Sequence, residues 1–476
     1  MNILLINPPF FDVYKGFQKA ARIGASYPPT GLLYLAGRLL QDGHQVRIID
    51  MAVDNSDIDD ILSVITRDNI QLVGITATTP IFGNAAEIAG AIKKAHSIPI
   101  VVGGIHVTIL RDAILRENSQ FDYAVIGEGE VTLAELVRCL ADNGDPAEVN
   151  GIVFRRTPGN DVYSTPPRPL LSDLDELPFP ARFLVKKEHY LWTPPKQGPS
   201  PIASVITQRG CPFKCAFCSQ HSMFTRKVRA RSVDNVLDEL EEIVNRQGIR
   251  HIMILDDTFV LSKERAMRIC AGIKKRRLVF TWENMSRADL VDREVLETMA
   301  DAGLVRMSFG IESGDQEILD RIHKGTTLEQ IRQAYAWAKE AGIETRGSAI
   351  IGHPGETAKS AWKTIRFLRS LKELNQVYIN IMVPYPGTEV YELAVRGEAG
   401  YRLLSKDFNR YIRYNESVLE VNDLDRAKLK RLQNIGLWMF YATPRRIIYN
   451  LFRSGLKNGV YMATAMLRGL FSGNKA

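Results

Sequence analysis

The chain is poor in cysteine, with five among 476 residues. Three of these stand in one short stretch, so they make no disulfide framework. Closely spaced free thiols need a reducing compartment, and the expected location is the cytosol. No apolar run approaches the roughly 18 residues of a membrane span. The N-terminus, Met1-Asn-Ile-Leu-Leu-Ile, has no basic n-region and no cleavage site, so it does not read as a signal peptide. No G-x-G-x-x-G follows the first apolar run, which argues against a nicotinamide or flavin dinucleotide. Acidic residues are missing from 426–476, which hold ten Lys/Arg. The whole chain carries only +7, so the body is net acidic and the basic balance belongs to the tail. Hydrophobic content of 45% and charged content of 24% are ordinary for a soluble globular protein. The length suits about two or three domains.

What is present begins with Gln208–Ser219, Q-R-G-C-P-F-K-C-A-F-C-S. Cys211, Cys215 and Cys218 form a C-x3-C-x2-C array. Three thiolates hold three irons of a [4Fe–4S] cluster and leave the fourth open to a ligand. A structural zinc site is the alternative. Zinc usually takes four ligands in two close pairs, and the nearby fourth here is His221, at an unusual spacing. Cys139 and Cys270 are isolated and read as buried apolar residues.

The N-terminal third alternates apolar runs with helical patterns. The runs are 2–6, Gln45–Ile49, Gln71–Thr76, Ile98–Val102 and Tyr123–Ile126. The helices are Gly31–Gln41, Ile58–Arg67, Asn84–Ala95 and Thr132–Asn143. Continuous β-branched strands between helices predict a Rossmann-like parallel sheet covered on both faces. Ligands of such sheets lie beyond the carboxyl ends of the strands. Here those ends are Asn7-Pro8-Pro9, Thr76–Thr79, Gly103–His106 and Gly127–Glu130. Residues 146–200 are proline-rich and read as an ordered linker, with an edge strand near Gly151–Arg155.

From Pro201 a β/α pattern repeats six times, which predicts a partial (β/α)6 barrel. The strands are Ile202–Thr207, His251–Leu255, Val279–Trp282, Val305–Phe309, Glu344–Ile351 and Val377–Met382. The cysteine array follows the first strand, on the face where barrels place their chemistry. Other strand ends carry Asp256-Asp257, Gly310–Gly314, Gly352–Thr357 and Pro384–Thr388. Asp256-Asp257 reads equally as a turn or helix-cap pair. Arg226, Lys227, Arg229 and Arg231, after the array, read as a solvated basic face or an anion site.

These motifs resemble the radical S-adenosylmethionine (radical SAM) superfamily, in the branch with a cobalamin-binding domain. The resemblance runs over about residues 1–390. It rests on the cysteine array with Phe217 before its last cysteine, and on the four barrel strand-end phrases. It rests also on Y-P-P-T-G-L-L-Y-L-A at Tyr27–Ala36, G-G-I-H-V-T at Gly103–Thr108, G-E-G-E at Gly127–Glu130, and the linker phrase at Arg168–Arg182. It implies an α/β protein with a cobalamin-binding domain at 1–145, a linker at 146–200 and a radical SAM partial barrel at 201–390. A helical cap and basic tail would follow at 391–476. It implies S-adenosylmethionine near Phe217, Asp256, Asp257, Gly310, Glu312, Ser313 and Gly352, with Glu312 on the ribose. It implies cobalamin near Asn7, Pro8, Pro9, Thr76, Thr79, Gly103, Gly104, His106, Glu128 and Gly129. Many cobalamin domains give cobalt a histidine from D-x-H-x-x-G. Asp42-Gly43-His44 begins that match, but Arg47 replaces the glycine, so no protein histidine on cobalt is expected.

The implied reaction is methylation of an unactivated carbon of a lipid-like or other hydrophobic small molecule. The cluster would cleave S-adenosylmethionine to a 5′-deoxyadenosyl radical, and cobalamin would carry the methyl group. The alternatives are cyclisation, ring rearrangement or oxidation with the same cofactors, and a non-catalytic cobalamin- or metal-binding module. Methylthiotransfer is disfavoured, because no cysteine precedes Cys139 to hold a second cluster. The partners implied are a hydrophobic substrate and an electron donor such as flavodoxin or ferredoxin, without nucleic acid. In the tail, Trp438, Phe440, Ile447, Ile448, Leu451 and Phe452 accompany the charge. A basic amphipathic segment suits an anionic membrane surface, so peripheral attachment is expected. The alternative is a tail packed on the body.

Overall fold

The computed structural model describes residues 1–9, 27–156, 161–192, 200–414 and 416–449. The chain forms two compact units, Met1–Tyr190 with Ser219–Ala230, and Leu191–Cys218 with Arg231–Ala476.

The first unit is built on a seven-stranded sheet. Asn2–Asn7 lies between Gln45–Asp50 and Leu72–Thr76, and Ile100–Gly103 and Tyr123–Val125 follow, all parallel. Successive residues serve opposite faces. Ile3, Leu5, Leu72 and Val101 enter one core with Leu32, Leu33 and Leu133. Leu4, Ile6, Val73 and Val102 enter another with Ile61, Ile88 and Leu115. Two covered faces explain why these strands read as continuous apolar runs. The linker contributes more than expected. Ile152–Arg155 and Val162–Ser164 extend the sheet antiparallel, and Tyr190 donates to Asp50 at 3.0 Å.

The second unit holds another seven-stranded sheet, whose neighbours follow chain order. Leu191–Trp192 is an antiparallel edge. Ser200–Val205, His251–Ile254, Thr281–Ser286, Leu304–Glu312, Glu344–Ile351 and Gln376–Ile381 are parallel. This is the expected partial barrel. One strand is corrected. Val279 is 78% exposed and precedes the third strand, which runs from Thr281 to Ser286. The apolar pair Val279-Phe280 drew the expectation too early, while the polar Glu283, Asn284 and Ser286 are buried inside the strand.

The sides of this sheet differ. Trp282, Met307, Phe309, Ala349, Ile351, Val377 and Ile379 join the core under the helices. Residues between them in sequence are more accessible: Ser308, Arg346, Ser348, Ile350 and Asn380 are half-buried, and Met285 and Tyr378 are exposed. The concave side is therefore open along the carboxyl half of the strands. Towards the amino ends it is filled by charge. Arg306 donates to Glu283 at 3.0 Å and Glu344 at 2.7 Å, and Arg346 stands 3.5 Å from Glu283. Trp192 stacks on His251 at 3.5 Å between ring centroids.

The region expected to be a helical cap also contains an antiparallel pair, Tyr401–Leu403 with Leu419–Val421. Helix Arg426–Tyr441 buries Leu429, Leu432, Gln433 and Phe440. Gln433 donates to Ile379 O, and buried Arg446 donates to Leu371 O and Leu374 O. Residues 426–446 are thus packed on the body, while Trp438, Ile447 and Ile448 stay exposed. Leu451, Phe452 and the rest of the expected amphipathic tail lie outside the described residues. Among the described residues no helix is long and apolar enough to cross a membrane.

Candidate active site and cofactor edges

In the second unit the cysteines lie in an irregular loop that opens at Cys211 and closes at Cys218. Ala216 fixes its middle, donating to Ile322 O and accepting from Val390 N. All three thiols are half-buried. Arg287 approaches Cys215 Sγ to 3.8 Å, and its guanidinium covers the Phe213 ring at 3.6 Å. Burial pushes the Cys215 thiol up, while Lys324 and Arg287 pull it down. Among the described residues no three His, Cys, Asp or Glu side chains gather as they would on a single ion. A cubane asks for less, since each thiolate binds a separate iron. A thiolate donor set beside two cations fits an anionic cluster better than the zinc alternative.

Glu312 ends the fourth parallel strand in a left-handed conformation, φ 62°. It accepts from Lys324 Nζ at 3.1 Å, with both side chains buried. A Cβ on Gly310 would meet both groups, so the pair would have to shift to admit one. Phe217 stands 6.0 Å from His353, whose Nε2 meets Glu312 O at 3.3 Å. His353 is held neutral by burial, its pKa lowered to about 4, and its Nδ1 is buried without a protein partner. That orphaned atom, between two expected contact residues, fits a bound polar ligand. Gly352 N donates to Glu356 and Gly352 O accepts from Tyr401.

Two expected contacts are turned elsewhere. Asp256 is fully buried and accepts from Thr207 N at 2.6 Å, from Gln208 N at 3.2 Å and from the Thr207 hydroxyl. Burial raises its pKa to about 6 against those bonds. Its neighbours on the sheet, not a ligand, take its charge. Ser313 shares a hydrogen bond with Thr364 and accepts from Asp315 N. Asp257 is half-buried at the strand end. Lys324 and Arg287 were missed. No motif marks them, since they reach the site from 12 and 72 residues away in sequence from their partners.

In the first unit the glycine-rich edge borders a mostly apolar cavity of about 160 Å³. Thr76, Gly103, Gly104, Glu128 and Gly129 line it, with Gly31, Leu35, Met223 and Phe224. Gly104 has φ 110°, and a Cβ there would strike Ala77 O. This is a position for glycine alone. The space equals roughly five water molecules. An apolar, glycine-edged space of that size would suit a flat ring such as the base of cobalamin. The residues present therefore fit that cofactor. Asn7, Pro8, Pro9, Thr79 and His106 do not line the cavity. Asn7 donates to Asp50, and Asn84 donates to Pro9 O. His106 is fully buried against Thr79 and Phe82, its pKa lowered to about 4 by desolvation. His44 pairs with the N-terminal amine, at the opposite end of the strands.

A thiolate array on a partial barrel, with a glycine-edged Rossmann-like unit, defines an iron–sulfur enzyme with a second cofactor domain. Comparison with known proteins names the family. A signature of the Radical SAM superfamily matches residues 205–368, and one of the B12 binding domain matches 20–137. The chain is 34% identical over 453 residues to an uncharacterized methyltransferase of Pyrococcus horikoshii, covering 95% of each. It is 30% identical over 438 residues to the anaerobic magnesium-protoporphyrin IX monomethyl ester cyclase of Rubrivivax gelatinosus, covering 90% of this chain and 75% of that one. The structure of the radical S-adenosylmethionine methyltransferase TsrM from Kitasatospora setae, with cobalamin and a [4Fe-4S] cluster, has the same fold. Its TM-score is 0.72 at 18% identity over the full length of both chains. This chain belongs to the cobalamin-binding radical SAM enzymes, and its cofactors are a [4Fe–4S] cluster, S-adenosylmethionine and cobalamin.

Proposed function

We propose that this enzyme methylates an unactivated carbon of a small hydrophobic molecule held on the concave side of its partial barrel. The observation that carries this reading is the open concave side, where Met285 is 42% and Tyr378 47% exposed among hydroxyl and amide groups. Such a wall suits an apolar body with few polar handles. The methyltransferase relative, matched over nearly the whole chain, supports the group transferred. The cluster and S-adenosylmethionine supply a carbon radical, and cobalamin supplies the methyl carrier. In this reading Cys211, Cys215 and Cys218 ligate iron, and Phe217, Gly310, Glu312 and Gly352 hold S-adenosylmethionine. Thr76, Gly103, Gly104 and Gly129 border cobalamin. Residues 1–145, 146–200, 201–390 and 391–476 serve as cobalamin domain, linker, radical SAM barrel and cap with tail. A low-potential carrier of the flavodoxin or ferredoxin type supplies electrons.

The exposed Trp438, Ile447 and Ile448 stand in a segment, 426–449, with six Lys/Arg and no acid. This supports attachment to an anionic membrane surface, each engaged cation adding about 1 kcal/mol before screening. A hydrophobic substrate would be met there.

A second reading, cyclisation without methyl transfer, is favoured by the match to the cyclase. Product mass spectrometry with methyl-labelled S-adenosylmethionine separates the two. Label on carbon in the product supports methylation. A product formed without label overturns it in favour of the cyclase-like reaction.

A further inference from the structure

The chain that leaves Cys218 groups with the first unit. Ser219–Ala230 belongs to the Rossmann-like unit, and two of its side chains, Met223 and Phe224, wall the apolar cavity. Gly127-Glu128-Gly129 forms another wall of it. Arg229 joins the two walls. Its guanidinium donates to both Glu128 oxygens, at 2.8 and 2.9 Å, and to Leu171 O at 2.7 Å. The side chains are 4% and 9% exposed. Glu128 was expected near cobalamin, and Arg229 in a solvated basic face or an anion site. Each instead uses its charge on the other.

We propose that Glu128 and Arg229 are positioning residues that latch the 219–230 segment across the cavity and thereby set how tightly cobalamin is held. This rests on cobalamin occupying the glycine-edged cavity. A buried two-point ion pair is geometrically demanding, and removing one partner leaves a charge without water or counter-ion. The segment then loses a buried charged tie, and the Met223–Phe224 wall loosens. Affinity then depends on whether the strap stays down. Such a loss shows mainly in release rate, because the cavity must open for the cofactor to leave.

The test uses the full-length protein with reconstituted cluster. Hydroxocobalamin binding and release are followed by visible absorbance, and iron is assayed alongside. Arg229→Ala should bind about tenfold or more weakly, with iron content unchanged. Arg229→Lys should fall between, since one ammonium cannot match both oxygens. Glu128→Gln combined with Arg229→Ala should be no worse than the poorer single variant, the mark of one shared interaction. Phe224→Ala, with the ion pair intact, should also hasten release. Arg226→Ala, at an exposed neighbour, should bind as the wild type does. Wild-type binding and release in Arg229→Ala overturns the latch, and so does wild-type release from Phe224→Ala. If Arg229→Ala does not fold, wild-type release from Phe224→Ala alone overturns it. If the wild-type protein takes up no cobalamin, the cofactor assignment fails and the latch with it.

Discussion

Lys324 Nζ lies 3.1 Å from Glu312 Oε1, over a glycine, with both side chains nearly sealed from solvent. The pair ends the fourth parallel strand of the barrel, where S-adenosylmethionine is proposed to bind. Lys324→Met should leave the carboxylate buried and unpaired. Binding of S-adenosylmethionine should weaken by about tenfold or more while iron content holds. Gly310→Ala should do the same by forcing the pair apart. Equilibrium dialysis with labelled S-adenosylmethionine measures both, and unchanged binding in either counts against the placement.

Asp256 acts on the cluster loop from beneath. It ties Thr207 and Gln208, from which the chain runs into Cys211, and Arg265 reinforces the tie by donating to the Thr207 hydroxyl and carbonyl at 3.0 Å. Asp256→Ala should cost about 1–3 kcal/mol in stability and should speed cluster loss. Iron retained over hours under anaerobic dialysis, at the wild-type level, would remove this role.

Arg306 neutralises two buried carboxylates at the closed end of the barrel. Glu283 is held at a pKa of about 2: burial raises it, and His251, Arg346 and Arg306 outweigh that. Arg306→Ala should destabilise the protein by about 3–5 kcal/mol, well beyond a surface Arg→Ala change. Urea unfolding followed by tryptophan fluorescence reports it, since Trp192 lies 5.0 Å from the Arg306 guanidinium.

Glu356 carries a pH dependence. Burial raises its pKa to about 8, against the backbone bonds from Gly352 and His353 that lower it. The unfolded carboxyl titrates near 4.5. Between those values the folded chain keeps a proton that the unfolded chain has released. Stability therefore falls as pH rises from about 4.5 to about 8. Glu356→Gln should flatten that fall. Thermal midpoints at several pH values across the window test it, and identical slopes in variant and wild type would contradict it.

The cluster loop and the strands were legible because they depend on local chemistry. Cys211, Cys215 and Cys218 lie within one loop, and β-branched runs such as Ile3–Ile6 must be buried on both faces wherever they occur. The third barrel strand was misplaced because Glu283 and Asn284 look like surface residues. Glu283 is buried because Arg306, distant in sequence, pairs with it at the closed end of the barrel.

Sequence alone determined the cysteine loop and the alternation of strands with helices, since spacing and periodicity are properties of neighbouring residues, and the resemblance of its motifs supplied the family and the cofactor set. Only the tertiary structure decided which polar groups pair with one another. Glu128 and Arg229, Asp256 and Thr207, and Glu312 and Lys324 each settle one another's charge or hydrogen bonds. No residue type announces its partner, because burial and pairing are set by where the chain returns.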